Sequence, residues 1–392
     1  MILLIYKTIK KSVKETDKLL LLLCLVLSAF GTLMVASATK RGVTEGVFSR
    51  DAKVMLAAVF LGAVACLIIS FIDYDLILKL WPVIAAGSIF LMLLLFTPLG
   101  VAPPGRSDAR SWIKITKNLY FQPSEILKIG FIITFSYHLS KIKNDLSSLL
   151  NVFLLCVHAL IPIALVVVTG DMGSALIFVL MFVGMMFIAG VHWLYFPAGL
   201  LTVGAASPII WYKVFDDIQR NRVLALFDPD TYSTEIYQQR QAMNAMKNGG
   251  FLGTGLFKGD YTQSGSIPES QNDMIFPVIC EEIGYIGAFV LLALFVLLAA
   301  RIVRDGKKAN NFSACMICYG VMLMIISQII INIGMCLSLL PVIGITLPFL
   351  SAGGSSTISL YIAIGLVLSV YRSSRGIGYD DDYRYARIAI EY

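Results

Sequence analysis

The sequence predicts an all-α polytopic membrane protein of about ten transmembrane helices, with a large extracellular loop between spans seven and eight. Three observations carry this: 58% of its 392 residues are hydrophobic and only 14% charged, the mean hydropathy is +0.80, and apolar runs recur along the chain. Soluble domains hold about 25% charged residues. A helix needs about 17–25 apolar residues to cross a bilayer.

Taken in order, the runs are Leu19 to Ser37, Val54 to Ile72, Leu78 to Thr97, Glu125 to Leu139, Leu149 to Thr169, Gly173 to Val191, Leu194 to Trp211, Met274 to Ala300, Ser313 to Leu339 and Leu350 to Tyr371. The first is expected to be a retained span, because it stays apolar for about 20 residues with no small-residue cleavage pattern before a soluble domain. The fourth carries Lys128, and only Gly170-Asp171 separates the fifth from the sixth. Proline interrupts runs five and seven at Pro162, Pro197 and Pro208. The whole of 1–392 reads as one transmembrane domain.

Loop charge predicts orientation, since Lys and Arg in short loops stay cytoplasmic. The side holding the N-terminus carries sixteen of them and the short loops of the other side eight, so residues 1–18 and the tail 372–392 are expected in the cytoplasm. That leaves two outer loops, 98–124 and 212–273. Polar loops of this length in a compact protein are usually functional. The second holds Arg220, Arg222, Arg240, Lys247 and Lys258, suited either to an anionic headgroup or simply to a solvated face. Its stretch Gly249-Gly250-Phe251-Leu252-Gly253-Thr254-Gly255 is a weak candidate for a nucleotide cradle, because no strand precedes it and no Gly-Lys-Ser/Thr follows.

All seven cysteines lie in apolar runs and read as small core hydrophobes. Cys315-x-x-Cys318 has no neighbouring His or second pair to complete a metal site. No cluster has metal-ligand spacing, so whether a divalent cation assists stays open; no nucleotide cofactor and no nucleic-acid partner are expected. His138, His158 and His192 read as structural or interfacial.

Ionisable residues within spans are costly, about 2.5–3.5 kcal/mol for a central Lys or Asp, and are functional candidates. Lys128 follows Pro123-Ser124-Glu125, good helix-starting chemistry with an acid in the first turn. It is either a functional cation or a lysine snorkelling to the interface. Asp171 is a site residue or a helix cap. Glu281 and Glu282 lie too deep for water and need protein partners, either an ion pair or a hydrogen bond to another span. The richest cluster, Ile267-Pro268-Glu269-Ser270-Gln271-Asn272-Asp273-Met274, opens span eight. Asp273 is there either as a cap or as a general base facing a basic loop.

Five motifs occur in order on these spans: Arg110-Ser111-Trp112-Ile113; Phe121-Gln122-Pro123-Ser124-Glu125 with Lys128; Gly170-Asp171-Met172-Gly173; Pro268-Glu269 with Asp273; and Leu347-Pro348-Phe349-Leu350-Ser351-Ala352-Gly353-Gly354-Ser355-Ser356. In these the chain resembles the SEDS family (shape, elongation, division and sporulation) from Asp17 to Arg372. The resemblance implies a bacterial plasma-membrane glycosyltransferase that polymerises lipid II, with a class B penicillin-binding protein, a monofunctional transpeptidase, as partner, and membrane lipid and a polyprenyl-pyrophosphate glycan around the site. It implies that Asp273 takes the proton of an acceptor 4-hydroxyl attacking the anomeric carbon of a lipid-pyrophosphate donor, with inversion. Lys128, Asp171 and Trp112 match positions lining the same outer cavity; Glu125 and Glu269 fall within the motifs, and Arg220 and Arg222 are candidates for the phosphates.

The chain departs from the family pattern at Met274, at Ala352, and at Ser264-Gly265-Ser266, where an acid is common. Its length and short termini lean towards the elongation type. Two other classes fit the same spans. A lipid II flippase would hold its ionisable groups near the midplane, and a non-catalytic scaffold would not need Asp273.

Overall fold

The computed structural model describes residues 16–40, 49–102, 109–116 and 119–375; most of the expected cytoplasmic N-terminus and tail lies outside these. Each of the ten apolar runs is helical. They are α1 (Lys18–Lys40), α2 (Arg50–Phe71), the pair α3 (Tyr74–Lys79) and α4 (Trp81–Leu93), α5 (Pro123–Lys141), α6 (Leu149–Val168), α7 (Met172–Ala189), α8 (Tyr195–Ile209), and, after the long loop, α12 (Ile275–Lys307), α13 (Phe312–Cys336) and α14 (Gly354–Ser373). Seven of these are long and apolar enough to cross a membrane; Trp81–Phe96 is apolar but shorter. α5 carries Glu125, Lys128 and Lys141, and α8 is only 15 residues, ending in a π-helical turn just past Pro208.

Two features add to the expected fold. In the first loop, β1 (Gly100–Val101), β2 (Trp112–Thr116) and β3 (Leu119–Phe121) form a small antiparallel sheet, which period-2 patterning over so few residues does not reveal. Arg110 ties it down: its guanidinium donates to the carbonyls of Gly100 and Thr97, and its backbone N–H to Thr169 O. The second loop is not irregular. It holds α9 (Asp217–Leu224), α10 (Ser233–Gly249) and the single turn α11 (Asp260–Gln263).

Close packing uses small residues, as expected where lipid supplies no hydrophobic drive between helices. α14 lies along α2: a Cβ on Gly62 would sit 2.9 Å from the Tyr361 ring and one on Gly365 2.8 Å from Cys66 O. At the base of this pair Arg372 donates to Phe71 O at 2.8 Å. The cysteines are buried and free, as read, except Cys156, which lies exposed on α6. His138 and His158 come together from α5 and α6, Nδ1 to Nδ1 at 3.1 Å, with Thr134 on the far nitrogen of His158.

The glycine stretch has a structural explanation. α12 breaks at Gly284 (φ 78°, ψ 179°), and residues 250–255 run alongside the break. Thr254 and Gly255 N–H donate to the carbonyls of Glu281 and Glu282, while Tyr285 and Ile286 N–H donate to Gly250 and Phe251. The approach requires glycine: a Cβ on Gly253, at φ 79°, would lie 2.3 Å from Glu282 O. Glu281 and Glu282 find protein partners, as their depth demanded. Glu281 accepts from Asn248 Nδ2, Tyr261 N, Thr262 N and Thr262 Oγ1, and Glu282 from Ser37 Oγ, Phe257 N and Gln263 Nε2.

Gly253→Ala is therefore expected to destabilise the protein by about 2–4 kcal/mol. Thermal unfolding in detergent checks this, with Gly204→Ala, whose new Cβ meets nothing within 4 Å, leaving the transition in place.

Candidate active site

At the loop-bearing end of the bundle, the turn 268–273 leads into α12. Glu269 adopts a left-handed conformation (φ 52°), uncommon for a residue with a side chain, and its carbonyl accepts from Asn272 N at 2.9 Å and Met274 N at 3.2 Å. Two anchors hold the turn to the rest of the bundle. Ala352 N donates to Gln271 O at 2.8 Å. Asn332, fully buried on α13, donates from Nδ2 to both Asp273 O (2.8 Å) and Ile345 O (2.7 Å). The irregular segment before α14 is thereby fixed against the turn, and a second contact, a Gly31 Cβ position only 2.5 Å from Leu350 Cα, seats it on α1.

Asp273 is 7% exposed. Gln238 of α10 reaches it, its Nε2 lying 3.2 Å from Pro268 O and 3.5 Å from Asp273 Oδ1. α10 thus brings the long loop over the aspartate. Beside it opens a cavity of about 410 Å³, within the range of small-molecule sites, about 300–1,000 Å³. Its polar and aromatic lining is Asp51, Trp112, Tyr120, Glu269, Gln271 and Asn272, with Ala352 and Gly354 at its wall.

The structure joins some predicted site residues and separates others. Trp112 and Glu269 line this cavity, and Asp273 follows directly on its wall residues. Asp171 and Lys128 do not line it. Asp171 caps α7, accepting from Ser174 N at 3.0 Å, and takes a further bond from Gln122 Nε2 at 2.8 Å. Its connection to the cavity is indirect: Gln122 N donates to Ser355 Oγ, and Ser355 Oγ donates to Tyr120 O.

Lys128 is 1% exposed, so it does not snorkel; its ammonium lies 2.8 Å from Glu125 Oε1, and Ser359 of α14 donates to Glu125 Oε2 at 2.8 Å. The pair bridges α5 to α14 inside the bundle and leaves Lys128 no surface to offer a phosphate in this arrangement. Arg220 and Arg222 sit on α9, outside the cavity; Arg220 is paired with the exposed Asp217 at 3.0 Å.

Sequence reasoning passed over Asp51, Gln238 and Asn332. Asn332 was the most accessible, as an amide inside an apolar span that hydrocarbon would penalise unless bonded. Gln238 and Asp51 stand among many polar neighbours and carry no such signal. Among the described residues no group of three or more His, Cys, Asp or Glu is arranged to hold a metal ion.

Comparisons with known proteins bear on the chain as a whole. Residues 17–376 match the model of the FtsW, RodA and SpoVE cell cycle proteins. The chain is 32% identical over 375 residues to a probable peptidoglycan glycosyltransferase FtsW of Geobacter sp. (strain M18), covering 93% of this chain and 99% of that one. It is 34% identical over 254 residues to the peptidoglycan glycosyltransferase MrdB of Escherichia coli K12, covering 64% and 68%. The fold resembles that of Thermus thermophilus rod shape determining protein RodA (TM-score 0.68, 23% identity, 92% of this chain and 98% of that one). A chain from a peptidoglycan synthase complex that coordinates polymerization and crosslinking aligns with a TM-score of 0.76 at 24% identity, over 92% and 99%.

Breaking a buried ion pair strands a charge, whereas removing both partners can be close to neutral. Lys128→Met alone is expected to cost about 3–5 kcal/mol, and Glu125→Gln/Lys128→Met to recover most of it. Thermal unfolding of the four proteins of this double-mutant cycle measures the coupling.

Proposed function

The chain belongs to the FtsW/RodA/SpoVE family of cell cycle proteins, and from that premise we propose that it polymerises lipid II into glycan strands at the outer face of the bacterial plasma membrane. It is a multi-pass membrane peptidoglycan glycosyltransferase. Both termini are cytoplasmic in this reading, because the charged loops of that side then obey the positive-inside rule. The turn 268–273, the sheet and the cavity consequently face outward.

The observation that carries the catalytic assignment is the setting of Asp273. It is nearly buried at the head of α12, its backbone fixed by Asn332, and the residues before it form the cavity wall. A carboxylate so placed accepts the proton of an acceptor hydroxyl as that oxygen attacks the anomeric carbon of the donor. The C1–O bond to the pyrophosphate breaks on the opposite face, so the configuration inverts. The departing pyrophosphate takes the negative charge, which Arg220 and Arg222 of the outer loop stabilise. Trp112 and Glu269 contact the sugar. Asp171 acts through Gln122 and Ser355, holding the sheet against α14, and the Glu125–Lys128 pair fixes α5 against the same helix.

A transpeptidase is the partner in this reading, since a synthase complex that couples polymerization to crosslinking contains a chain of the same fold. A flippase is the weaker alternative, because Glu125, Lys128, Glu281 and Glu282 are all bonded within the protein instead of facing a path.

Asp273→Asn is expected to reduce glycan-strand synthesis from purified lipid II by about a hundredfold or more, the usual contribution of general base catalysis, with thermal stability unchanged. The assay uses the full chain together with its transpeptidase. Equal polymer from both proteins removes the assignment; lipid II crossing vesicles with no polymer from either makes the protein a transporter.

A further inference from the structure

We infer that the cavity beside Asp273 is the subsite for the uncharged N-acetylated sugar of the acceptor, and that Asp51, which sequence reasoning passed over, is one of its binding residues. This rests on the glycosyltransferase reading with Asp273 as base.

The lining supplies the chemistry. A pyranose ring presents a C–H face and a rim of hydroxyl and amide groups. The cavity offers Trp112 and Tyr120 as partly exposed aromatic surfaces, Asp51 and Glu269 as acceptors for hydroxyl protons, and Gln271 and Asn272 as wall residues. Glu269 is held ready: its backbone is fixed in the left-handed region and Asn272 Nδ2 donates to its Oε2 at 2.6 Å. Asp51 is exposed in the first turn of α2, a placement the helix dipole favours for a carboxylate, and among the described residues it makes no hydrogen bond or ion pair.

Charge then chooses which sugar. Among the described residues no Lys or Arg lines the cavity, and two carboxylates do. The donor ring carries a pyrophosphate on its reacting carbon, and like charges brought so close repel. The acceptor's terminal sugar stands one ring away from any phosphate and meets no such penalty. Position agrees, because Gln271 and Asn272 line the cavity and directly precede Asp273, so a ring seated there lies against the turn that carries the base.

The test separates binding from turnover. The full chain in nanodiscs is titrated with N,N′-diacetylchitobiose, a neutral probe, and separately with a sugar-free polyprenyl pyrophosphate. Asp51→Ala and Glu269→Gln are each expected to weaken chitobiose binding about tenfold, the effect of losing one hydrogen bond to a charged group. Pyrophosphate binding is expected to hold within about twofold, and Asp51→Glu to restore the sugar. In polymerisation both variants raise KM for lipid II by about tenfold with kcat little changed.

Unchanged chitobiose binding in both variants overturns the proposal. So does loss of pyrophosphate binding in a variant that unfolds at the wild-type temperature, which makes the cavity a phosphate site. Chitobiose failing to bind while an amine-bearing stem peptide does bind also overturns it, since the two acids would then serve an ammonium. An active Asp273→Asn protein removes the base but leaves the chitobiose titration readable.

Discussion

The insertion of residues 250–255 into the broken turn of α12 is the constraint on which the site's geometry depends. A helix interrupted inside a membrane frees carbonyls and N–H groups that hydrocarbon cannot satisfy. Here the break at Gly284 is filled by backbone from the long loop, four hydrogen bonds replacing those the helix gives up. The carboxylates of Glu281 and Glu282 then gather the remainder of the loop, Glu281 around Asn248 and α11, Glu282 across to Ser37 of α1. α10 is therefore not a solvated appendage. It is pinned at its C-terminal end, and that pinning aims Gln238 at Asp273.

Several charged and polar groups inside the described spans act as joints between helices. Glu125 and Lys128 tie α5 to α14 through Ser359, Asn332 ties α13 to two separate stretches of loop, and Arg301 at the far end of α12 grips Asp17 at the cap of α1. That last bond, with Leu20 N–H, holds the Asp17 carboxyl below its ordinary range although burial opposes it. Bonds of this kind are directional, whereas apolar packing against lipid is not. They help fix the depth and rotation of the helices they join, and so which side chains meet at the outer end.

Much of this was legible in the sequence because membrane physics leaves few options. Each apolar run marked a helix, the depth of Glu281 and Glu282 required protein partners, and the motif around Asp273 supplies part of the cavity wall. What stayed hidden depended on contacts distant in the chain. The glycines of 249–255 resembled a phosphate cradle in isolation; only the break at Gly284 explains them. Lys128 read equally as an interfacial or a functional cation until Ser359, 231 positions after it in the numbering, closed the pair with Glu125. Asp51 shares a cavity with Glu269 only because α2 begins beside the sheet, and no local pattern encodes that.

Asp273 is fixed through its main chain, and that suits the proton acceptor proposed for it. Its main chain is rigid: Asn332 grips the carbonyl, and the turn before it is closed by bonds to Glu269 O and by Ala352. Gln238 Nε2 stands 3.5 Å from its Oδ1, at the long limit of a hydrogen bond. A carboxylate whose main chain is fixed stands at a set place for an incoming hydroxyl. Catalytic contacts of this sort commonly tighten once substrate is bound. A rigid backbone is what the proposed base needs when its two substrates are themselves anchored in the membrane, because there the protein supplies the alignment and the substrates supply little freedom to correct it.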